Sequence, residues 1–286
     1  MHSRNLLFIL LLISQVSMHA HHKIIYLISP PRSLSVAFTR MMQARGDFKI
    51  FHEPSQKAFN SIHYPHYTHW YRDDASNTYM ESKAQILLAA KNYPIFVKEM
   101  SFAIDEFITK DLELLNDPNV YFVFLLRKPH ATTISFYNRS KCVINNLAHA
   151  IGYKSCLDIY HALSTISEKK PLILSTEDLY NDPSNTIQKF CDYCDIPFMP
   201  EALEWNDLGN NFSGVEEWHE TKFQDTTQHW HGDAIHSTGF HKPHEYEVDE
   251  QGNPTFEEIA QEYRDEYIKA YEYNKPFYEL LSAEAL

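Results

Sequence analysis

The chain has 286 residues, 44% of them hydrophobic and 22% charged, which is enough to bury a sizeable core. Its formal net charge of −13 excludes the basic footprint of a nucleic-acid-binding module and disfavours a polyanionic polymer as substrate, while leaving room for a small anion in a local basic pocket. The four cysteines, Cys142, Cys156, Cys191 and Cys194, are too few for a disulfide framework; Cys191 and Cys194 have zinc-like spacing without a second pair and read as two semi-buried thiols on a helix.

In chain order, LLFILLLI after Arg4 resembles the apolar segment of a signal peptide and is too short to span a bilayer. Residues 1–22 read as a leader or as an over-extended start, with Met18 as a second candidate start, and 23–286 as one domain. KIIYLIS is a continuous apolar run, as expected of a strand covered on both faces. A helix follows from about Ser33, with Ser33 or Ser35 available to cap its free amides. FKIFHEP reads as a second strand, and the polar and aromatic stretch Asn60 to Asn77 as loop. MESKAQILLAAKN has helical spacing, YPIFVKEM is the next strand, and Ser101 is placed to cap FAIDEFITKDLELLN. NVYFVFLLR is the strongest strand signal, bounded by Asp117-Pro118 and Pro129, and Pro129 suits the first position of a helix carrying Ser135. LDIYHALSTISEKK reads as helix, PLILS as strand, and NTIQKFCDYCD as a helix stopped by Ile196-Pro197. A polar stretch rich in Trp and His runs from Trp205 to Gln251, and the final helix carries a tyrosine stripe, Tyr263, Tyr267 and Tyr271, expected to pack against the body.

This alternation implies a three-layer α/β fold with a central, mainly parallel sheet, whose ligands bind beyond the C-terminal ends of the strands. Two of those ends carry chemistry. The turn Pro31-Arg32-Ser33-Leu34-Ser35 offers backbone amides at the positive end of a helix, plus a guanidinium and two hydroxyls, which together suit a phosphate or sulfate; an ordinary turn with an exposed Arg is the alternative. Arg127 closes the strongest strand, and Ser135 follows eight residues later on the next helix, so both can converge on one phosphate; a surface ion pair is the alternative for Arg127.

Together these two elements resemble the signatures of the sulfotransferase family, which uses 3′-phosphoadenosine-5′-phosphosulfate (PAPS) and has a P-loop-containing nucleoside triphosphate hydrolase-like fold. HEP after the second strand, VK before the Arg signature, the EDL turn, the IPF corner and WHGDAIHSTGF extend the likeness from about Lys23 to Phe240. The resemblance implies that Pro31, Arg32, Ser33, Leu34, Ser35 and Val36 cradle the 5′-phosphosulfate, that Arg127 and Ser135 hold the 3′-phosphate, and that Ser237, Thr238 and Gly239 help cover the nucleotide. Leu34 departs from the family's usual glycine, so a changed backbone turn is one expectation. Arg32 and Lys98 are candidates to stabilise the leaving phosphate. Glu53 is the first candidate for the base, Glu99 the second and His52 the third, with His52 expected on the opposite side of the strand from Glu53.

The histidines at 63, 66 and 69 and at 229, 231, 236, 241 and 244 read as lining an acceptor pocket rather than as a metal centre, and the implied chemistry needs no metal. The implied activity is sulfuryl transfer from PAPS to a hydroxyl or amine of a small acceptor, leaving adenosine 3′,5′-bisphosphate (PAP). Two other readings stay open: an inactive relative that binds a nucleotide or a partner, and a kinase or nucleotide hydrolase, although GxxxxGK[ST] is absent. No nucleic-acid partner, stable membrane span or particular oligomeric state is read from the sequence. A cytosolic donor favours the cytoplasm, with secretion if the leader is real.

Overall fold

In the computed structural model the described residues are 21–65, 76–167, 169–207, 224–251 and 253–285. Most of the expected leader, and His66 and His69, lie outside them. The strands are β1 (Ile24–Ser29), β2 (Lys49–His52), β3 (Ile95–Met100), β4 (Val120–Leu126) and β5 (Leu172–Ser175). They form a five-stranded sheet in the order β2-β3-β1-β4-β5, with every pairing parallel.

Parallel strands need crossovers, and helices supply them on both faces. The helices before β4 are α1 (Ser35–Arg45), α2 (Gln56–His63), α3 (Tyr79–Ala90), α4 (Ser101–Ile108) and the short α5 (Leu112–Leu115). After β4 come α6 (Pro129–Ser140), α7 (Leu147–Ile151) and α8 (Tyr153–Ile166); after β5 come α9 (Thr176–Asn181), α10 (Pro183–Cys194), α11 (Gln224–Ile235) and α12 (Gln261–Ala283). Alternation along β1 divides the core. Ile24, Tyr26 and Ile28 face one apolar cluster with Phe102 and Phe124, while Ile25 and Leu27 face another with Phe38, Phe96 and Phe190. A third cluster forms where α12 lies on α6 and α7; there Tyr267 is fully buried and its ring meets Tyr137 edge-on at 5.3 Å.

Several local expectations are corrected. Residues 60–63 are the last turn of α2 rather than loop. Ser101 is the first helical residue, not the cap, and its hydroxyl donates to the Gly152 carbonyl at 2.8 Å. The polar stretch after Trp205 contains α11, a helix with a weakly apolar sequence. Cys156, Cys191 and Cys194 are buried free thiols, and Cys142 is exposed. Among the described residues no helix is long and apolar enough to cross a membrane.

The chain leaves β1 toward β2 and leaves β4 toward β5, although β1 and β4 are neighbours. Their C-terminal loops therefore part in opposite directions and open a crevice, the usual ligand position in such sheets. The β4 side of the crevice is braced from below by Tyr153, a fully buried residue at the start of α8 whose hydroxyl donates to the Arg127 carbonyl. Tyr153 follows Gly152, whose φ of +86° favours glycine and whose added Cβ would meet Ser101 Oγ at 2.6 Å. Gly152→Ala is expected to destabilise the fold by about 2 kcal/mol or more, through left-handed strain and overlap, as read by urea unfolding. An unchanged midpoint would show that Ser101 and α8 adjust freely.

Candidate functional site

The loop after β1 is shaped by its backbone. Arg32 (φ 62°) and Leu34 (φ 60°) are left-handed, and Ser33 between them is not. Such alternation turns successive amides into one concavity. Ser33 does not cap α1: its hydroxyl donates to the Pro30 carbonyl at 2.7 Å, and its own carbonyl accepts from Thr176 Oγ1 at 2.9 Å. The N-cap is Leu34, without a side-chain cap, and Ser35 is the buried first residue of the helix. Leu34 thus holds a left-handed conformation that glycine adopts freely, at a cost of roughly 1–2 kcal/mol for a residue with a Cβ. Its side chain, with that of Val36, packs on the cluster around Phe38. The first turn of α1 presents amides that have no intrahelical acceptor, at the helix's positive end.

Arginines converge beside this loop. Arg127 donates from Nη1 to the Arg32 carbonyl at 2.9 Å and from Nη2 to the His244 carbonyl at 3.3 Å, with its guanidinium 5.7 Å from the Tyr246 ring centre. Arg32 Nε donates to Ser135 Oγ at 3.2 Å and its Nη1 to the Trp230 carbonyl at 2.7 Å. Arg139, one turn beyond Ser135 on α6, pairs with Asp233 of α11, which also lies 3.9 Å from Arg32. Burial, then repulsion from Arg139 and Arg127, lowers the Arg32 pKa to about 10 against the pull of Asp233. Arg32 remains charged at neutral pH. Arg32 is in contact with both Ser135 and Arg127 at one end of the crevice. Arg139 and Asp233 were missed, although Arg139 stands four residues after Ser135 on the same helical face.

A second group lies on the α1 side of the sheet. Lys98 is fully buried and pairs with Glu53. Glu53 follows β2 with φ 53°, and this left-handed turn breaks the strand alternation. Instead of facing away from His52, the Glu53 carboxylate comes back to 3.6 Å from His52 Nε2, and that expectation is corrected. His231 enters from α11, its ring edge-on to His52 at 5.4 Å. Burial pushes the Glu53 pKa up, but Lys98, His231 and Arg32 together hold it below the usual carboxylate range. Burial pushes His231 down to about 4, with Lys98 and Arg32 adding to the effect and Glu53 opposing it. His52, Glu53 and His231 have ligand atoms within 4.8 Å of one another. A divalent cation there would share its one carboxylate with the Lys98 ammonium, a poor setting for a metal.

Glu99 projects from the other face of β3, on the side of Val97, and is 1% exposed. Its Oε1 accepts from the Ser55 amide at 3.0 Å. Burial, with some repulsion from Glu53, raises its pKa to about 8 against the hydrogen bonds from Ser55 and the pull of Lys98. Ser237, Thr238 and Gly239 lie by the Trp205 corner. Ser237 Oγ accepts from Trp205 Nε1 at 3.2 Å and donates to the Ala234 carbonyl, and the Thr238 carbonyl accepts from the Trp205 amide. From this part of the chain Trp230, Asp233, His244 and Tyr246 meet the arginines, and His231 meets His52.

The family described as Sulfotransferase domain matches residues 22–258. A curated relative, a branched-chain-amino-acid aminotransferase-like protein of Arabidopsis thaliana, is 25% identical over 234 residues, covering 78% of this chain. The chain spans only 37% of that relative's length. Among solved structures, the sulfotransferase domain from the curacin biosynthetic pathway matches at 16% identity and a TM-score of 0.45, covering 73% of this chain and 90% of that one. A mouse sulfotransferase complexed with PAP matches at 11% identity and a TM-score of 0.38, covering 64% of each chain. At such identities and scores the weight rests on the family match.

His231 takes up its proton less readily in the folded chain than in the unfolded one. It therefore withdraws stability as pH falls from its ordinary value of 6.5 through about 4. His231→Gln is expected to lose less stability than the wild type over that interval, measured by urea unfolding at each end. An equal loss would place His231 in a more polar setting than the crevice.

Proposed function

The chain belongs to the sulfotransferase family, and from that membership we propose that it transfers a sulfuryl group from PAPS to a hydroxyl or amine of a small acceptor. The observation that carries the reading is the buried Lys98–Glu53 pair, set in the same field as Arg32 at the C-terminal edge of the sheet. An acid for leaving-group charge and a carboxylate for the acceptor's proton are the two groups that an in-line transfer needs.

In this reading Arg127 and Ser135, with Arg139 one turn further along α6, bind the 3′-phosphate. Arg32, the amides of 32–36 and the positive end of α1 bind the 5′-phosphosulfate. The acceptor oxygen or nitrogen forms a bond to sulfur as the bond from sulfur to the 5′-phosphate oxygen breaks, and PAP leaves. Glu53 takes the acceptor's proton, and Lys98 stabilises the charge that grows on the leaving oxygen. Lys98 cannot fully serve Glu53 and the leaving oxygen together. As Lys98 turns to the donor, Glu53 loses the cation that holds its pKa down while remaining buried, so donor binding makes Glu53 a stronger base. His52 and His231, both beside Glu53, line the acceptor side; His231, neutral at pH 7, presents no competing charge. A donor made in the cytosol favours the cytoplasm as the site of reaction.

The left-handed Leu34 supports an intact phosphate-binding loop, because glycine adopts that conformation freely. PAP is expected to bind with micromolar affinity in titration calorimetry, with ATP as a weak control. Arg127→Ala is expected to weaken PAP by about 10- to 100-fold, the loss of a charged hydrogen-bonding partner. Full retention of PAP affinity in that variant would remove Arg127 from the donor site.

A further inference from the structure

Glu53 owes its place to a strained turn, and four hydrogen bonds hold that turn. The Glu53 amide donates to the Lys98 carbonyl at 2.7 Å, and the Gln56 amide to the Glu53 carbonyl at 3.0 Å. Ser82 Oγ donates to the Pro54 carbonyl at 2.8 Å, and the Ser55 amide to Glu99 Oε1 at 3.0 Å. Only the last of these uses a titratable side chain. Glu99 is buried, and its second oxygen, Oε2, has no hydrogen-bond partner. A carboxylate left this way would be costly, whereas a neutral carboxyl is tolerable.

We infer that Glu99 is a positioning residue: from beneath the sheet its carboxyl clamps the Ser55 amide and so holds the 53–55 turn that aims Glu53 at Lys98. The inference rests on the reading of Glu53 as the base. Glu99 carries its proton at neutral pH, in keeping with its pKa near 8. The charged and titratable groups around it are Glu53 and Lys98 above, Tyr26 of β1, and Tyr79 of α3 with Asp111 beyond. Both tyrosines are raised by burial and stay neutral, so ionising Glu99 would add a second negative charge behind Glu53 without an added cation to meet it.

The test is an NMR titration of the whole chain with labelled glutamate carboxyls and amides, assigned with Glu53→Gln and Glu99→Gln. In the wild type the Ser55 amide shift is expected to follow a titration near pH 8 that Glu99→Gln abolishes. Glu99→Gln keeps an oxygen for Ser55, so Glu53 is expected to titrate as in the wild type. Glu99→Asp keeps the acid but is one methylene too short, and Glu53 is expected to rise by about one unit as its grip on Lys98 loosens. PAP affinity is expected to stay within about twofold in both variants, a difference of under 1 kcal/mol. A Ser55 amide that ignores Glu99, or a Glu53 titration equal in the wild type, Glu99→Gln and Glu99→Asp, would overturn the inference. Failure of the sulfotransferase reading shows separately, as absent PAP binding with the Glu53 response to Glu99 intact.

Discussion

A buried lysine must have a counter-charge, and Lys98 imposes that constraint on the site. Its ammonium is fully buried at the end of a strand sandwiched between helices. An isolated charge there would cost several kcal/mol. Glu53 supplies the partner, but only because the chain after β2 turns left-handed and brings the carboxylate back across the strand. The turn is held by its bracket of hydrogen bonds, one of them donated by the Ser55 amide to Glu99 below the sheet. A single electrostatic requirement thus goes with one backbone conformation, the left-handed turn at Glu53.

The sheet positions the rest by topology. Because β1 and β4 are neighbours whose continuations diverge, Arg32 and Arg127 arrive at one crevice from segments nearly a hundred residues apart. Three guanidiniums then share a small volume on an otherwise acidic protein. This separation of global and local charge matters: a net negative surface repels polyanions, while the crevice remains selective for a compact anion.

Much of this was legible in the sequence, for physical reasons that differ by element. β1 and β4 are apolar on both faces, so KIIYLIS and VYFVFLL announce themselves without any help from alternation. The strand-end Arg127 and the helix residue Ser135 followed from where those strands stop. What the sequence concealed depends on positive φ angles and on distant contacts. Nothing in HEP shows that Glu53 would leave the β region, so alternation wrongly separated it from His52. Residues 60–63 hide a helical turn behind a polar aromatic sequence, and α11 is amphipathic too weakly to be seen. The partnership of Arg139 with Asp233 joins α6 to a segment about ninety residues later, which no local pattern encodes.

That partnership has a thermodynamic consequence. Asp233 is covalently attached to the molecule whose arginines it meets, so it acts on Arg139 and Arg32 as a tethered competitor with a fixed effective concentration. Any anion that takes both arginines does so by exchange and not by addition. Its apparent affinity is its intrinsic affinity scaled by the fraction of molecules in which the carboxylate has let go. The pairing state of the Asp233 side chain and the occupancy of the crevice are then two readings of one equilibrium, and whatever frees the arginines from that carboxylate tightens the anion.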